Sequence, residues 1–416
     1  KYLGEAPEFF IPMVMSFSAQ TSANQVQDTI DSKLDKRKKG VFGPPLGKRF
    51  ILYVDDLNMP KKEEYGAQPP IEILRQWFGQ SGWYDRKVLT FRKVVDFVYA
   101  TSMGPPGGGR NPITARYVRH FNVVGYAEMS NESKQMIFSQ ILSTFLMPFD
   151  PSVQQLAEGT VLATLDLYNS ICANLLPTPL RPHYTFNLRD LAKVFQGMLM
   201  ASEKKMTTGA KFTKLWIHEC KRVFEDRMIN DTDRGWFKDA VCKQLEAHMN
   251  TSWEQVVDHP HMIFGDYMIP GADPRIYDEV TDMDALKLTI EEYLHDYNAE
   301  SKSPMPLVMF LDAIEHVSKI ARTIRQPQGN MLLLGVGGSG RQSMTRLATY
   351  ISGFECVQVE VGKGYGMTEW REDIKQCLLK AGVGNLPVVF LFSDVQIVDE
   401  GMLEDLNGIL NAGDVP

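Results

Sequence analysis

The sequence predicts an α/β protein, with parallel strands and flanking helices at both ends of the chain and an all-α segment between them. Three observations carry this. Short apolar runs rich in β-branched and aromatic residues end in carboxylates or hydroxyls at residues 49–56 and 94–102, and the pattern returns at 387–394, as buried parallel strands do. Helical spacing alternates with these runs. Between about residues 130 and 239 the apolar residues recur every three or four positions with no strand between them.

The 416 residues correspond, at roughly 150 per domain, to two to four domains with real cores. A composition of 44% hydrophobic, 23% charged and 10% aromatic residues excludes a disordered or fibrous chain. The 44 Lys+Arg against 51 Asp+Glu leave a net charge of -7, so no global basic field points to nucleic acid or to an anionic membrane. Five cysteines, Cys172, Cys220, Cys242, Cys356 and Cys377, are scattered and never spaced C-x-x-C, which argues against a disulfide framework and a zinc site and for a reducing cytosolic compartment. No apolar run approaches the roughly 20 residues of a membrane span, and the residues from Lys1 to Glu5 lack a signal-peptide core.

In chain order, the run KRKK at 36–39 reads as a solvated helix end leading into a loop. Residues 49–56 form a strand, and Ile71, Leu74 and Phe78 mark a helix over 70–78. A second strand over 94–100 leads through Thr101 and Ser102 into the Gly/Pro loop 103–109, and a third covers 120–126. Helices are expected over 132–145, 152–175, 187–200 and 211–228, punctuated by Pro177, Pro179 and Pro182, whereas 240–300 has mixed signals and no assignment. A new domain starts near Lys302. Its first helix shows Leu307, Phe310, Leu311, Ile314, Val317, Ala321 and Ile324 on one face and stops at Pro327, followed by a strand at 331–334, a tight loop at 335–340, a helix at 342–350 and strands at 354–361 and 387–394. A sheet with so few strands cannot cover both faces, so the chain is expected to be a slice of something larger.

The stretch GVGGSGRQS at 335–343 carries the strongest chemistry. Placed between a strand and a helix it resembles a phosphate-binding P-loop, in which Gly335, Gly337, Gly338, Ser339 and Gly340 free the backbone N–H groups to wrap phosphates. Arg341 stands where that pattern has Lys, Gln342 where it has Ser or Thr, and Ser343 one step late. The alternative is a Gly-rich turn without a ligand. A strand-end carboxylate holding Mg²⁺, followed by a residue that orients the attacking water, would complete such a site. Asp55 and Asp56 fit these two positions in the first region, Asp394 and Gln396 in the last, the alternative for a strand-end Asp being a cap or turn residue. Ser102 sits where a polar group can sense a terminal phosphate, or simply ends its strand. Arg116 and Arg119, at i and i+3 before the 120–126 run, are candidates for an arginine finger or for solvated surface residues. Arg189, at the head of a helix, either reaches back to a nucleotide or pairs with Asp190 or another local acid.

Taken together, ILYVDDLNMP at 51–60, MGPPGGGR at 103–110, TFNLRD at 185–190, HECKRVFEDR at 218–227 and GVGGSGRQS at 335–343 make the chain resemble a dynein heavy chain of the axonemal, inner-arm type over essentially its whole length. The resemblance implies AAA+ P-loop modules, each a parallel sheet with flanking helices, plus an all-α small subdomain. It assigns residues 1–128 to the large subdomain of the third module, lacking its P-loop, and 129–239 to that module's helical small subdomain. Residues 240–301 are then a connecting segment, and 302–416 an incomplete large subdomain of the fourth module. Asp55 and Asp56 resemble the third module's Walker B pair, Ser102 its sensor one, Arg189 its sensor two, and Arg119 the finger offered to the second module. Gly335, Gly340, Arg341 and Ser343 resemble the fourth P-loop, with Asp394 and Gln396 at its Walker B. ATP or ADP with Mg²⁺ is implied, Asp55, Asp394 and Ser343 serving the metal. Also implied are the other modules of the same heavy chain, microtubules reached through a stalk and intermediate and light chains reached through a tail, both outside this segment, and a place in the cytoplasmic cytoskeleton of a cilium or flagellum. Asp at 56, Arg at 341 and Gln at 396, in place of Glu, Lys and Glu, suggest sites that bind nucleotide for regulation more than for rapid turnover. This segment alone is expected to be inactive; the competing reading is a ring scaffold with no nucleotide role of its own. An independent kinase or GTPase fails, since it needs one complete site.

Overall fold

The computed structural model describes residues 8–301 and 303–413. The expectations on Lys1 to Glu5 and on Lys302 as a domain start lie outside the described residues. Two compact units divide the chain: one holds the residues up to Tyr126 with Val359–Lys375 and the residues from Phe392 onward, and the other holds Ala127–Gln358 with Gln376–Leu391.

The first elements among the described residues are strand β1 (Phe10–Ser16) and helix α1 (Ala23–Asp31), whose Ser22 and Gln25 form a reciprocal capping box. Next come β2 (Asp35–Lys38), β3 (Val41–Gly43), β4 (Arg49–Asp55), α2 (Pro69–Gln80), β5 (Gly82–Tyr84), β6 (Phe91–Val94), β7 (Phe97–Thr101) and the short α3 (Ala115–Val118). β4 is the middle of a parallel sheet ordered β1-β4-β7, with Ser16 opposite Asp55 and Thr101 opposite Val54. Leu52 and Val54 on one face of β4 are fully buried against Leu74 and Trp77 of α2. The expected 94–100 strand is two strands in two sheets, because Asp96 takes a left-handed φ of 62° and turns the chain between them. The KRKK run is also corrected. Residues 36–38 of it lie in β2 and Lys39 in the turn that follows; β2 is the edge of a sheet ordered β2-β3-β6-β5, where exposed lysines blunt an open edge and Arg37 pairs with Asp96 at 3.2 Å. Residues 120–126 form no strand; Val123, Val124 and Tyr126 are exposed, and no strand among the described residues offers them a ladder.

The second unit begins with α4 (Asn131–Leu146), α5 (Pro151–Gln154), α6 (Ala157–Asn174), α7 (Leu188–Met198), α8 (Gly209–Val223), α9 (Asp231–Met249) and α10 (Trp253–Val256). A single core of buried side chains, including Leu142, Leu167, Phe195, Trp216 and Phe237, joins them. The expected 152–175 helix breaks at Gln155 and Leu156, and the 211–228 helix ends at Val223 before a 3-10 turn over Glu225–Arg227. α9 runs through residue 239 to Met249, carrying helical structure past the expected end of the helical region.

There follow β8 (Ile263–Gly265), β9 (Asp278–Val280), α11 (Met283–Glu300), α12 (Leu311–Arg325) and α13 (Arg341–Ser352), then β10 (Glu355–Gln358), α14 (Met367–Gly382), β11 (Val388–Leu391) and α15 (Glu400–Ala412). β10 and β11 pair in parallel. The strand expected at 331–334 is absent: Met331, Leu332 and Leu334 are exposed, and no strand among the described residues pairs with them.

α8 and α12 are joined by a buried ion pair. Arg322 donates from Nε to Glu219 Oε1 at 3.2 Å and from Nη2 to Oε2, while the Tyr277 hydroxyl donates to Oε1 at 3.0 Å. Burial alone would push the Arg322 guanidinium toward deprotonation; the carboxylate beside it reverses this and holds it charged. Gly197 makes room, since a Cβ there would stand 1.7 Å from Glu219 Oε2.

Candidate nucleotide site

β4 and β7 end side by side, so the sheet itself brings Asp55 to Ser102. The Ser102 hydroxyl donates to Asp55 Oδ1, which also accepts from the Asp56 N–H at 3.1 Å. The Ser102 N–H donates to the Val54 carbonyl at 2.9 Å and the Leu57 N–H to the Ser102 carbonyl at 3.1 Å, fixing both strand ends. One Asp55 oxygen is thereby anchored, and the other has no hydrogen bond among the described residues, which suits a carboxylate that must offer an oxygen to a hard cation. Asp56 adopts a left-handed φ of 50°, at which the chain leaves the strand, and its Oδ1 lies 3.3 Å from Arg110 Nη2 with both side chains about 40% exposed (43% and 40%).

Asn58 is buried and ties the loop to this edge: its Nδ2 donates to the Gly104 carbonyl at 2.8 Å, and its carbonyl accepts from the Asn111 N–H at 2.9 Å. Asn58, Asn111 and Arg110 were not singled out by sequence reasoning. The signal was there in the triple glycine before Arg110, which serves a tight turn presenting one side chain.

Arg119 caps the C-terminal end of α3 and is exposed, as is Arg116. The helix is held by Tyr117, fully buried with its hydroxyl 3.0 Å from that of Tyr99, so it presents both arginines outward, with no ion pair among the described residues.

In the second unit, Gly338 and Gly340 have φ of 79° and 75°, values that favour glycine, and Gly340 opens α13. The loop therefore leads into the first turn of a twelve-residue helix, with N–H groups at Arg341, Gln342 and Ser343 that have no intrahelical acceptor. Arg341 Nη2 donates to the loop's own Val336 carbonyl at 3.4 Å, so its guanidinium folds back on the loop. Arg189 sits exposed in the first turn of α7, after an Asn187–Asp190 capping box. The open alternative of an Arg189–Asp190 pair is resolved: Asp190 is buried and taken by Arg227, whose Nη1 is at 3.2 Å.

Asp394 and Gln396 belong to the first unit, in a 3-10 turn over Asp394–Gln396. Gln396 is corrected. It is buried, its Oε1 accepts from the Ser393 N–H at 2.7 Å and hydroxyl at 3.0 Å, and its Nε2 donates to the Val359 carbonyl. With Oε1 accepting twice and Nε2 bonded to a backbone carbonyl inside a buried turn, the amide has no acceptor left for a water's proton.

Three family models match the chain: a P-loop containing dynein motor region over residues 1–129, an AAA+ lid domain over 160–258, and a P-loop containing dynein motor region D4 over 305–416. Dynein axonemal heavy chain 1 of Mus musculus is 51% identical across 100% of this chain and 10% of that protein. The chain belongs to the axonemal dynein heavy chain family. Dynein axonemal heavy chain 3 of Mus musculus is 46% identical across 97% of the chain, and dynein axonemal heavy chain 6 of Homo sapiens 44% across 98%. This dynein segment spans about a tenth of the length of these relatives (10%). Among its described residues no helix is long and apolar enough to cross a membrane, and no cluster of three or more His, Cys, Asp or Glu is placed to hold a metal ion.

Proposed function

We propose that this chain supplies two consecutive regulatory nucleotide-binding modules to the motor ring of an axonemal, inner-arm dynein heavy chain, which as a whole hydrolyses ATP and moves on microtubules in a cilium or flagellum. The observation that carries this is the Ser102 to Asp55 contact at the ends of two adjacent parallel strands, with Asp56 following. Residues 1–128 are the large subdomain of the third module, 129–239 the core of its helical subdomain, 240–301 a connection and 302–416 part of the fourth module. Asp55 would hold Mg²⁺ in the third module, where the ion supplies charge neutralisation at the phosphates when bound. The N–H groups from Gly337 to Ser343 bind and orient phosphates in the fourth module; in the third, Ser102 contacts nucleotide and Asp56 orients a water; and Arg119 is offered to the second module as a finger. The partners are the other modules of the same chain, microtubules through a stalk, and intermediate and light chains through a tail.

A scaffold role without nucleotide is the second reading for the fourth module, favoured by the Arg341 guanidinium folded onto Val336 and by the commitment of Gln396. Bound-nucleotide stoichiometry of the full heavy chain separates the two. Gly338→Val forces a branched residue to φ near 79°, and is expected to lower the count by one nucleotide per chain. An unchanged count refutes nucleotide binding at this loop.

A further inference from the structure

The loop 104–111 is built to hold one side chain over the β4 edge. Gly107 and Arg110 exchange two backbone hydrogen bonds, at 2.9 and 3.0 Å, around Gly107, Gly108 and Gly109, all at positive φ. Both ends of the loop are tied to Asn58, two residues beyond Asp56. Arg110 folds across Gly104, where a Cβ would stand 2.9 Å from Nε and 3.0 Å from Cδ, so any larger residue there would make the arginine side chain shift. The guanidinium thus reaches Asp56, but through a single 3.3 Å contact between groups that both remain substantially exposed.

Exposed pairs of this kind contribute at most about 1 kcal/mol, whereas a guanidinium meets phosphate oxygens with two parallel charge-assisted hydrogen bonds. An outer phosphate is therefore the stronger partner. We propose that Arg110 is a terminal-phosphate sensor: its guanidinium pairs with Asp56 until a nucleoside triphosphate is bound, then transfers to the outermost phosphate and frees the carboxylate. Arg110 thereby distinguishes triphosphate from diphosphate at this site. The inference rests on the reading of Asp55, Asp56 and Ser102 as part of a nucleotide site.

The test uses the full heavy chain with the nucleotide sites of the other modules disabled, and a fluorescent ADP displaced by ADP or by the slowly hydrolysed ATPγS. Arg110→Gln keeps the stem over Gly104 and removes the charge; it is expected to lower the preference for ATPγS over ADP by about tenfold, equal to about 1.4 kcal/mol, with ADP affinity unchanged. Arg110→Lys should retain part of the preference. Asp56→Asn removes the competing partner and should raise the preference, the opposite sign. Equal weakening of both nucleotides by Arg110→Gln, no change in their ratio, or a preference lowered by Asp56→Asn overturns the sensor while leaving the site reading intact. Failure of the unsubstituted protein to bind the fluorescent ADP overturns the site reading and the sensor with it.

Discussion

Arg322→Met is expected to be among the most damaging single substitutions in this chain, although it touches no candidate nucleotide residue. The side chain is 7% exposed and Glu219 fully buried, so the substitution strands a carboxylate that keeps, among the described residues, the Tyr277 hydroxyl as its donor. Removing one member of a buried pair costs about 3–5 kcal/mol. Removing both charges with Glu219→Gln and Arg322→Met should cost far less, within about 2 kcal/mol of the parent, because the neutral amide still accepts from Tyr277 and methionine fills the arginine stem's volume. α8 and α12 share this pair, so its loss should appear as local opening of both. Hydrogen exchange on the full heavy chain reads it directly: protection of the slowest amides in the two helices should fall by about 150-fold to several thousand-fold, at tenfold per 1.4 kcal/mol. The reasoning is refuted if Arg322→Met changes that protection by less than about threefold, or if the double substitution is as damaging as the single.

Acid should destabilise the same region through His218. Its Nδ1 lies 3.0 Å from the Met262 carbonyl and so carries the proton, while Nε2 is buried without a hydrogen-bond partner; burial first, then the Arg222 and Arg322 charges, push its pKa well below the usual value. The unfolded chain takes up a proton below about pH 6.5 that the folded chain resists, so stability present above that pH is lost as it falls, by at most about 2 kcal/mol at pH 5. His218→Asn keeps a donor for Met262 and should remove this share; urea midpoints at pH 7.5 and pH 5 with equal acid losses for parent and variant would count against it. The isolated 416-residue chain should show no significant steady-state ATP turnover, since Gln396 is spent on its cap and Arg119 faces no partner module; turnover near about one per second would contradict this.

The parts of the fold legible in the sequence were those whose signal is local. β4 is a run of β-formers closed by carboxylates, and the helices α4, α7 and α8 repeat apolar residues at helical spacing over two turns or more. The misreadings follow from non-local physics. Residues 331–334 are as apolar as any strand here, yet a strand exists only where a neighbour supplies the ladder, and hydrophobicity does not report a neighbour. β6 and β7 look like one run because a single left-handed aspartate between them leaves no mark on the apolar pattern. α9 and α11 were passed over because charged residues dilute their periodicity; α9 alone carries Asp231, Asp233, Arg234, Lys238, Asp239, Lys243 and Glu246.

The candidate site divides along the same line. Asp55 and Ser102 are 47 positions apart, but each ends a strand, and parallel pairing of those strands makes them neighbours, so two local readings add up to one contact. Asp56 and Arg110 are 54 apart, and no strand register joins them. Their meeting depends on Asn58 binding both ends of a glycine-rich loop and on the missing Cβ of Gly104, two conditions a single sequence does not rank above the many other ways to use Asn and Gly. Gln396 failed for the complementary reason. Its position after a strand suggests a residue facing water, but an amide three residues into a turn is also a ready capping group, and it is the capping geometry that the buried turn satisfies. Regular pairing therefore delivers the carboxylate to the sheet edge, while irregular loop chemistry determines which partner that carboxylate has.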